Sequence, residues 1–456
     1  MKIIIIGAGV VGRTIARKFS GEGQDIVLIE KDEKMVKELQ ESLDVQLIQG
    51  SGSSPEVLAR AGIEQAEMVI AVTNSDEVNM VACLIAETQS RVPKKIARIR
   101  NPDYLNYTEI FERDYLDLDF IINPEKVAAD RILKILDTPG AVDVMDFIDG
   151  KLKLVGVKLS ADSELAGKKA RDLGAFFTNA NVIITAIYRG NQTIIPQGGT
   201  VLEVGDLIFT LAHSKEAAAI PRIFSNISDE KTADKVMIIG GGDVGFFVAE
   251  ALEGKGHLIK IIEKNEARCE FLAEKLDKAI VISGDGTDQS LLKEENIGDL
   301  DTFIAVTNDE EANILTSLLS KRLGAHRSVA LIDKPEYLSM VSTIGVDVAV
   351  SPRLASVGDI LQFIRKGKVL SVKTLMEERV EAMETVAMET ADIVGVPIKD
   401  IKFPMGAIIG AVVKGEEVLL PTGDTTIDAG DKVVIFTLPK TIPQVEKLLM
   451  VKPEFF

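Results

Sequence analysis

The sequence predicts an α/β protein in which two doubly wound parallel-sheet domains alternate with two small α+β domains. Three observations carry that expectation. A repeat spans most of the 456 residues, the apolar runs are too continuous for half-buried strands, and one glycine turn recurs in both copies. Domains of roughly 150 residues are usual, so the chain has room for several cores.

The repeat sets the order of everything else. Residues Lys2 to Gly12 (KIIIIGAGVVG) answer Lys235 to Gly245 (KVMIIGGGDVG) at an offset of 233, and Glu30 answers Glu263 at the same offset. Gly50-Ser51-Gly52-Ser53 meets Gly284-Asp285-Gly286-Thr287 at 234, as Thr73-Asn74-Ser75-Asp76-Glu77 meets Thr307-Asn308-Asp309-Glu310-Glu311. Pro102 and Tyr104 return as Pro335 and Tyr337. So long a match with so little drift means duplication.

Each element follows from its pattern. Runs at 2–6, 26–29, 45–49, 68–73, 95–100 and 120–123 are rich in Ile and Val and do not alternate, as expected of parallel strands covered on both faces. The second copy has runs at 235–240, 258–263, 279–284, 302–307, 328–333 and 348–352. Stretches such as Arg13–Glu22 and Lys34–Leu43 are long enough for the crossover helices that parallel strands need. A second repeat follows each first one: Ile195-Pro196-Gln197-Gly198 with Gly205-Asp206 matches Leu420-Pro421-Thr422-Gly423 with Gly430-Asp431 at an offset of 225. Its short β-branched runs and Gly/Pro/Asp turns predict a small α+β domain, with residues 167–173 as a helix. The expected segments are 1–122, 140–224, 234–350 and 368–453, and the polar stretch Ser225–Asp234 is expected to link the halves.

Composition removes several classes. Asp and Glu total 70 against 52 Lys and Arg, a net charge of −18, which argues against a nucleic-acid partner because phosphate binding needs a basic face. Cys83 and Cys269, with His213, His257 and His326, make neither a disulfide framework nor a zinc site, and such usage suits a reducing cytosol. No run approaches the ~18 apolar residues of a membrane helix. The apolar start, Met1 to Val11, reads as a strand and turn rather than a signal peptide, so a soluble protein is expected whose dealings with a membrane pass through a partner. The acid-rich stretch Glu377, Glu378, Glu381, Glu384, Glu389 is read as a solvated face, with a cation-binding or basic-partner surface as the alternative.

The glycines carry the chemistry. Gly7, Gly9 and Gly12 follow a strand and open a helix, and Glu30 closes the next strand. In a Rossmann-like domain the first glycine permits the tight turn, the second admits a pyrophosphate and the third lets helix and sheet approach. The phosphates then rest on free N–H groups at the helix start. Glu30 is placed to accept both ribose hydroxyls, and its charge repels a 2′-phosphate, which favours NAD(H) over NADP(H). In the second copy Gly240, Gly242, Gly245 and Glu263 repeat the pattern, but Asp243 stands where Val10 does and could cap the helix in the phosphate's place, so this site is either competent or else vacant or altered. Arg98 and Arg100 end the fifth strand, at the carboxyl edge where ligands sit; they either clamp phosphate or pair with an acid. Leu331 and Asp333 replace them in the second copy. Asn74, Ser75 and Asp76 suit an adenine or ribose contact, or simply a turn.

This ordered set resembles the TrkA family, the cytosolic nucleotide-binding subunits of bacterial Trk potassium uptake systems, over nearly the whole chain. The resemblance implies two N-terminal-type and two C-terminal-type domains of the regulator-of-potassium-conductance (RCK) class. It implies a homotetrameric ring, cytoplasmic and peripheral on the inner face of the membrane, docked on a membrane-embedded potassium transporter subunit and gated by NAD(H) and by ATP or ADP. By match, Gly7, Gly9, Gly12, Glu30, Arg98 and Arg100 contact nucleotide; the candidate cofactor-binding set adds Ala8, Val10, Val11, Gly50, Ser51, Thr73 and Asn74, with Gly240, Gly242, Gly245 and Glu263 in the second copy. No catalytic or metal residue is assigned, and no enzyme is expected. The alternative is an NAD-dependent oxidoreductase, which needs a substrate domain with a positioned acid or base; here the small domains repeat each other instead. A plain scaffold with vestigial turns leaves Glu30 and the arginines without a role.

Overall fold

The computed structural model describes residues 1–112, 114–176, 182–190, 192–225, 235–365, 371–375 and 379–449. It divides into two compact units: Met1–Ala128 with Ser351–Ile364, and Ala129–Val350 with the chain from Arg365 onward.

The first unit is built on the strands Lys2–Ile6, Asp25–Glu30, Gln46–Gln49, Met68–Ala71, Lys94–Arg98 and Phe120–Ile122. Numbered along the chain, they lie in the order 3-2-1-4-5-6 and all pair in parallel. The chain reverses between the first and fourth strands, which opens a crevice at their carboxyl ends. Both faces are covered, so neither face selects polar residues. Ile3, Ile5 and Leu28 pack under the helix Val10–Gly21 on one side, while Ile4, Ile6 and Val27 pack with Leu58 and Ala82 on the other. Complete burial of each such side chain contributes about 1.5–3 kcal/mol. One of the covering helices comes from far along the chain. Val357, Ile360 and Leu361 of the helix Pro352–Arg365 lie in the first sheet's core, and Phe363 stacks on Phe120 at 5.0 Å between ring centres.

The second unit repeats the sheet with strands Lys235–Ile239, Leu258–Glu263, Ile280–Ser283, Thr302–Ala305, Arg327–Leu331 and Val348–Val350, again in the order 3-2-1-4-5-6. It also holds both small domains, each an antiparallel sheet. The first has strands Asp143–Phe147, Leu152–Lys158, Val182–Arg189, Gln192–Ile194 and Leu207–His213, ordered 4-3-5-2-1. The second has Ser371–Leu375, Val380–Val386, Ala407–Lys414, Glu417–Leu419 and Lys432–Thr437 in the same order. Phe147, Phe209, Ala411 and Phe436 share one core, so the two small sheets bury apolar residues together. The helix Pro124–Leu136 begins in the first unit and ends in the second, where the Arg327 guanidinium donates to the Ile135 and Ala141 carbonyls.

Two sequence expectations change. Residues 167–173 are not an α-helix; Lys169 pairs with Val201 as an isolated bridge, and a 3-10 helix, Ala170–Ala175, takes up the rest. The segment is too short to repay helix nucleation. The acid-rich stretch is not one solvated face, since Glu381 is buried in its strand and Glu384 accepts the Ile148 N–H, whereas Glu389 is exposed. Glu377, Glu378 and the linker residues 226–234 lie outside the described residues.

Candidate nucleotide-binding site

The strand Lys2–Ile6 ends in a turn at Gly7, whose φ of +99° favours glycine, and an added Cβ there would lie 3.0 Å from the Thr73 backbone. At Gly12 a Cβ would fall 2.0 Å from the Gly7 carbonyl oxygen, so the helix reaches the turn only because Gly12 has no side chain. Gly9 is different. Its φ of −61° and ψ of −177° suit any residue, and a Cβ built on it meets nothing within 4 Å. Neither backbone strain nor packing accounts for Gly9. The open space lies at the helix N-terminus, which no side chain caps, and its free N–H groups suit an anion. The second copy repeats all three findings: Gly240 has φ +100°, Gly245 would meet the Gly240 oxygen at 2.0 Å, and Gly242 opens on nothing.

Glu30 ends the second strand beside this space. Its Oε2 accepts the Ala8 N–H at 2.8 Å, and its Oε1 accepts Lys31 N–H at 2.8 Å and Asp32 N–H at 3.0 Å. Glu263 does the same with Gly241 at 2.7 Å and Asn265 at 2.8 Å. The acid therefore ties the glycine turn to the next loop before any ligand arrives. Gly50 and Ser51 follow the third strand, where Ser51 Oγ bonds Ser53 Oγ at 2.9 Å. Val10 and Val11 begin the helix, Val11 facing the core.

At the fourth strand's end a buried side chain missed by sequence reasoning does the organising. Asn79 Oδ1 accepts Thr73 N–H at 2.9 Å and the Thr73 hydroxyl at 2.7 Å, and its amide donates to the Arg98 carbonyl at 2.8 Å. Asn313 repeats this with Thr307 and Leu331. The shared offset of 234 was the available signal. Ser75 caps the helix Asp76–Ser90, and buried Asp76 accepts the Arg100 and Asn101 N–H groups at 2.8 Å each. Ser75 and Asp76 thus shape the loop, and the Asn74 carbonyl accepts Arg100 Nη2 at 2.7 Å.

Arg98 and Arg100 stand together at the carboxyl edge. Arg98 Nη2 bonds Glu125 Oε1 at 3.2 Å, with both side chains about four-fifths buried. Burial pulls the Arg98 guanidinium below its ordinary pKa, against the attraction of Glu125, and Arg100 alongside adds to the fall. Arg98 Nε, Arg100 Nε, Glu125 Oε2 and Asp76 Oδ1 are all buried without a hydrogen-bond partner. Arg100 Nε and Asp76 Oδ1 face each other as an ion pair at 3.9 Å, so Arg98 Nε and Glu125 Oε2 hold the unused capacity for a polar ligand.

In the second copy a cavity of about 590 Å³ is lined by Gly240, Gly242, Glu263, Asp285, Thr307 and Asn308 among others. That volume lies in the usual range for small-molecule sites. Asp243 does not cap the helix, whose N-cap is Gly242 with no side-chain bond; the carboxylate is drawn instead to Arg268, 3.1 Å away. Arg268 is a cavity-lining cation that the strand-end pattern does not reveal, because it lies on the helix Glu266–Lys275.

Two duplicated dinucleotide-type domains, each keeping an unfilled glycine turn beside a carboxylate and each followed by a small antiparallel domain, define a tandem RCK-type protein. The TrkA-N domain model matches residues 3–124 and 236–352, and the TrkA-C domain model matches 154–225 and 383–450. The chain belongs to the TrkA family. It is 40% identical over 460 residues to the Trk system potassium uptake protein TrkA of Halomonas elongata, and 38% identical over 460 residues to that of Vibrio alginolyticus, covering 100% of both chains in each comparison. In fold it is similar to the GsuK channel bound to NAD, with a TM-score of 0.62 at 19% identity over 98% of this chain and 78% of that one. The GsuK RCK domain gives a TM-score of 0.61 at 18% identity, covering 98% and 94%.

Proposed function

We propose that the chain is a nucleotide-sensing regulatory subunit of a potassium uptake system, not an enzyme. It binds NAD(H) at the first glycine turn and senses ATP or ADP through Arg98 and Arg100. It acts as a cytoplasmic homotetrameric ring on a membrane-embedded transporter partner. The observation that carries this is Gly9, a glycine that neither the backbone nor the packing requires, facing open space at an uncapped helix start beside Glu30. The names of the Trk relatives support the potassium system, and the GsuK structures with NAD and with ADP support the ligand class. The regulatory reading also fits the small domains, whose charge pairs serve the fold: Arg189 bonds buried Asp206 and the Val201 carbonyl, and Lys414 pairs with Asp428 and buried Asp431 at the matching place.

Calorimetry on the full chain tests the reading, run beside an assay for NADH consumption across small hydroxy acids, aldehydes and ketones. Binding of NADH without turnover is the expected outcome. Steady oxidation of NADH with any of them would make the protein an oxidoreductase.

A further inference from the structure

Two arginine–carboxylate pairs on the helix Pro124–Leu136 are built differently. Arg131 grips Asp143 with two parallel bonds, Nε to Oδ1 at 3.0 Å and Nη2 to Oδ2 at 2.6 Å, and Asp143 is buried. Forked and short, that pair serves the fold. At the helix start, Glu125 meets Arg98 through one bond, Nη2 to Oε1 at 3.2 Å, which is long for a charge-assisted contact. The other halves of the fork, Arg98 Nε and Glu125 Oε2, are buried and have no hydrogen-bond partner. The groups around them are committed. Arg100 Nη2 donates to the Asn74 carbonyl, and Asp76 accepts the Arg100 and Asn101 N–H groups, with Arg100 Nε 3.9 Å from its other oxygen. Asn123 seats the helix start independently, its Oδ1 accepting Lys126 N–H at 2.8 Å and its amide donating to the Arg100 carbonyl at 3.3 Å. In the second copy both members of the pair are replaced together, Arg98 by Leu331 and Glu125 by Arg353, which follows Pro352 as Glu125 follows Pro124.

Resting on the reading of Arg98 as a phosphate contact, we propose that Glu125 is a built-in competitor for phosphate: its carboxylate holds Arg98 before nucleotide binds and gives it up when the terminal phosphate of an adenine nucleotide arrives. Parting a buried ion pair is uphill unless the incoming anion is the stronger one. A terminal phosphate meets that condition, with a charge of about −1.5 to −2 near neutral pH and three acceptor oxygens. Two of those oxygens match the Nε–Nη2 edge that the single carboxylate bond leaves half used. The released carboxylate stays charged, because it lies in the first turn of its own helix, where the dipole favours an anion. Adenosine brings no anion to exchange for Arg98 and leaves the pair intact. Glu125 thereby lowers affinity for phosphate and sets how strong an anion must be to open the pair.

The test is calorimetry with ATP and with adenosine on the full chain, unsubstituted and as Glu125→Gln, Arg98→Ala and the double variant. Glu125→Gln keeps the side chain's shape and removes its charge. It is expected to tighten ATP roughly tenfold, the reverse of losing a charge-assisted bond, and to leave adenosine unmoved. In the Arg98→Ala background the same change moves ATP far less. ATP affinity unchanged or weakened by Glu125→Gln, or tightened equally with and without Arg98, overturns the proposal. Arg98→Ala without effect on ATP would overturn the reading beneath it, and the proposal with it. Amide exchange on the unsubstituted chain reads the same step with no substitution to misfold: ATP loosens the first turn of Pro124–Leu136 and adenosine does not. A first turn equally or better protected with ATP overturns the proposal as well.

Discussion

Gly9 and Gly12 belong to one turn but answer to different constraints, and packing fixes only one of them. Gly12 is fixed by the 2.0 Å approach of the Gly7 oxygen, while Gly9 has room and ordinary dihedrals. The spacing in the sequence made both legible as a turn and could not tell which one packing requires. The roles of Arg98 and Arg100 were legible only as a choice between phosphate and acid, because Glu125 lies 27 residues beyond Arg98 and no local pattern ties them. The geometry keeps both halves of that choice: Arg98 is paired, yet its Nε has no partner. Arg98→Ala is therefore expected to lower ATP affinity by about 1.5–3 kcal/mol and adenosine affinity far less, as calorimetry will measure. Equal losses for the two ligands would make Arg98 structural.

Elements with a full period were readable, and short or polar ones were not. The Ile- and Val-rich runs became strands within a residue or two of their expected ends, since burial on both faces leaves few other patterns. The 3-10 form of Ala170–Ala175 and the buried acid Glu381 escaped, because their environment comes from partners far along the chain. Helix starts show the same dependence on tertiary partners. Glu311, in the first turn of Glu310–Arg322, accepts Lys334 Nζ at 2.6 Å and the Tyr337 hydroxyl at 2.8 Å. These bonds, that from Lys334 foremost, hold its carboxyl down at about 2 against an ordinary 4.5. A depressed acid stabilises the fold above its unfolded pKa, and that contribution is lost as pH falls through the folded value. Glu311→Gln should thus weaken amide-exchange protection in the helix Pro335–Ile344 at pH 7. Its difference from the unsubstituted protein should shrink as pH falls from 4.5 to about 2. A difference that stays constant across that range would mean the ion pair is not what protects the helix.

At the scale of the whole molecule the duplication was plain in the offsets, but not the exchange of covering elements. The helix Pro352–Arg365 follows the second sheet in sequence and packs on the first, and Pro124–Leu136 runs from the first unit into the second. A single sequence shows that a helix is amphipathic and not which sheet it covers. The Arg98–Glu125 bond joins the carboxyl edge of the first sheet to the opening turn of Pro124–Leu136. A ligand shifts a conformational equilibrium only by its difference in affinity between states, and a phosphate that competes for Arg98 supplies such a difference. Allosteric couplings of about 1–3 kcal/mol are typical. The direct measurement is potassium flux through the complex reconstituted with its membrane partner, recorded under NADH, NAD⁺, ATP and ADP for the unsubstituted chain, Arg98→Ala and Glu263→Ala. The account predicts flux that depends on nucleotide, strongly blunted by Arg98→Ala and only mildly by Glu263→Ala; flux indifferent to every nucleotide would contradict it.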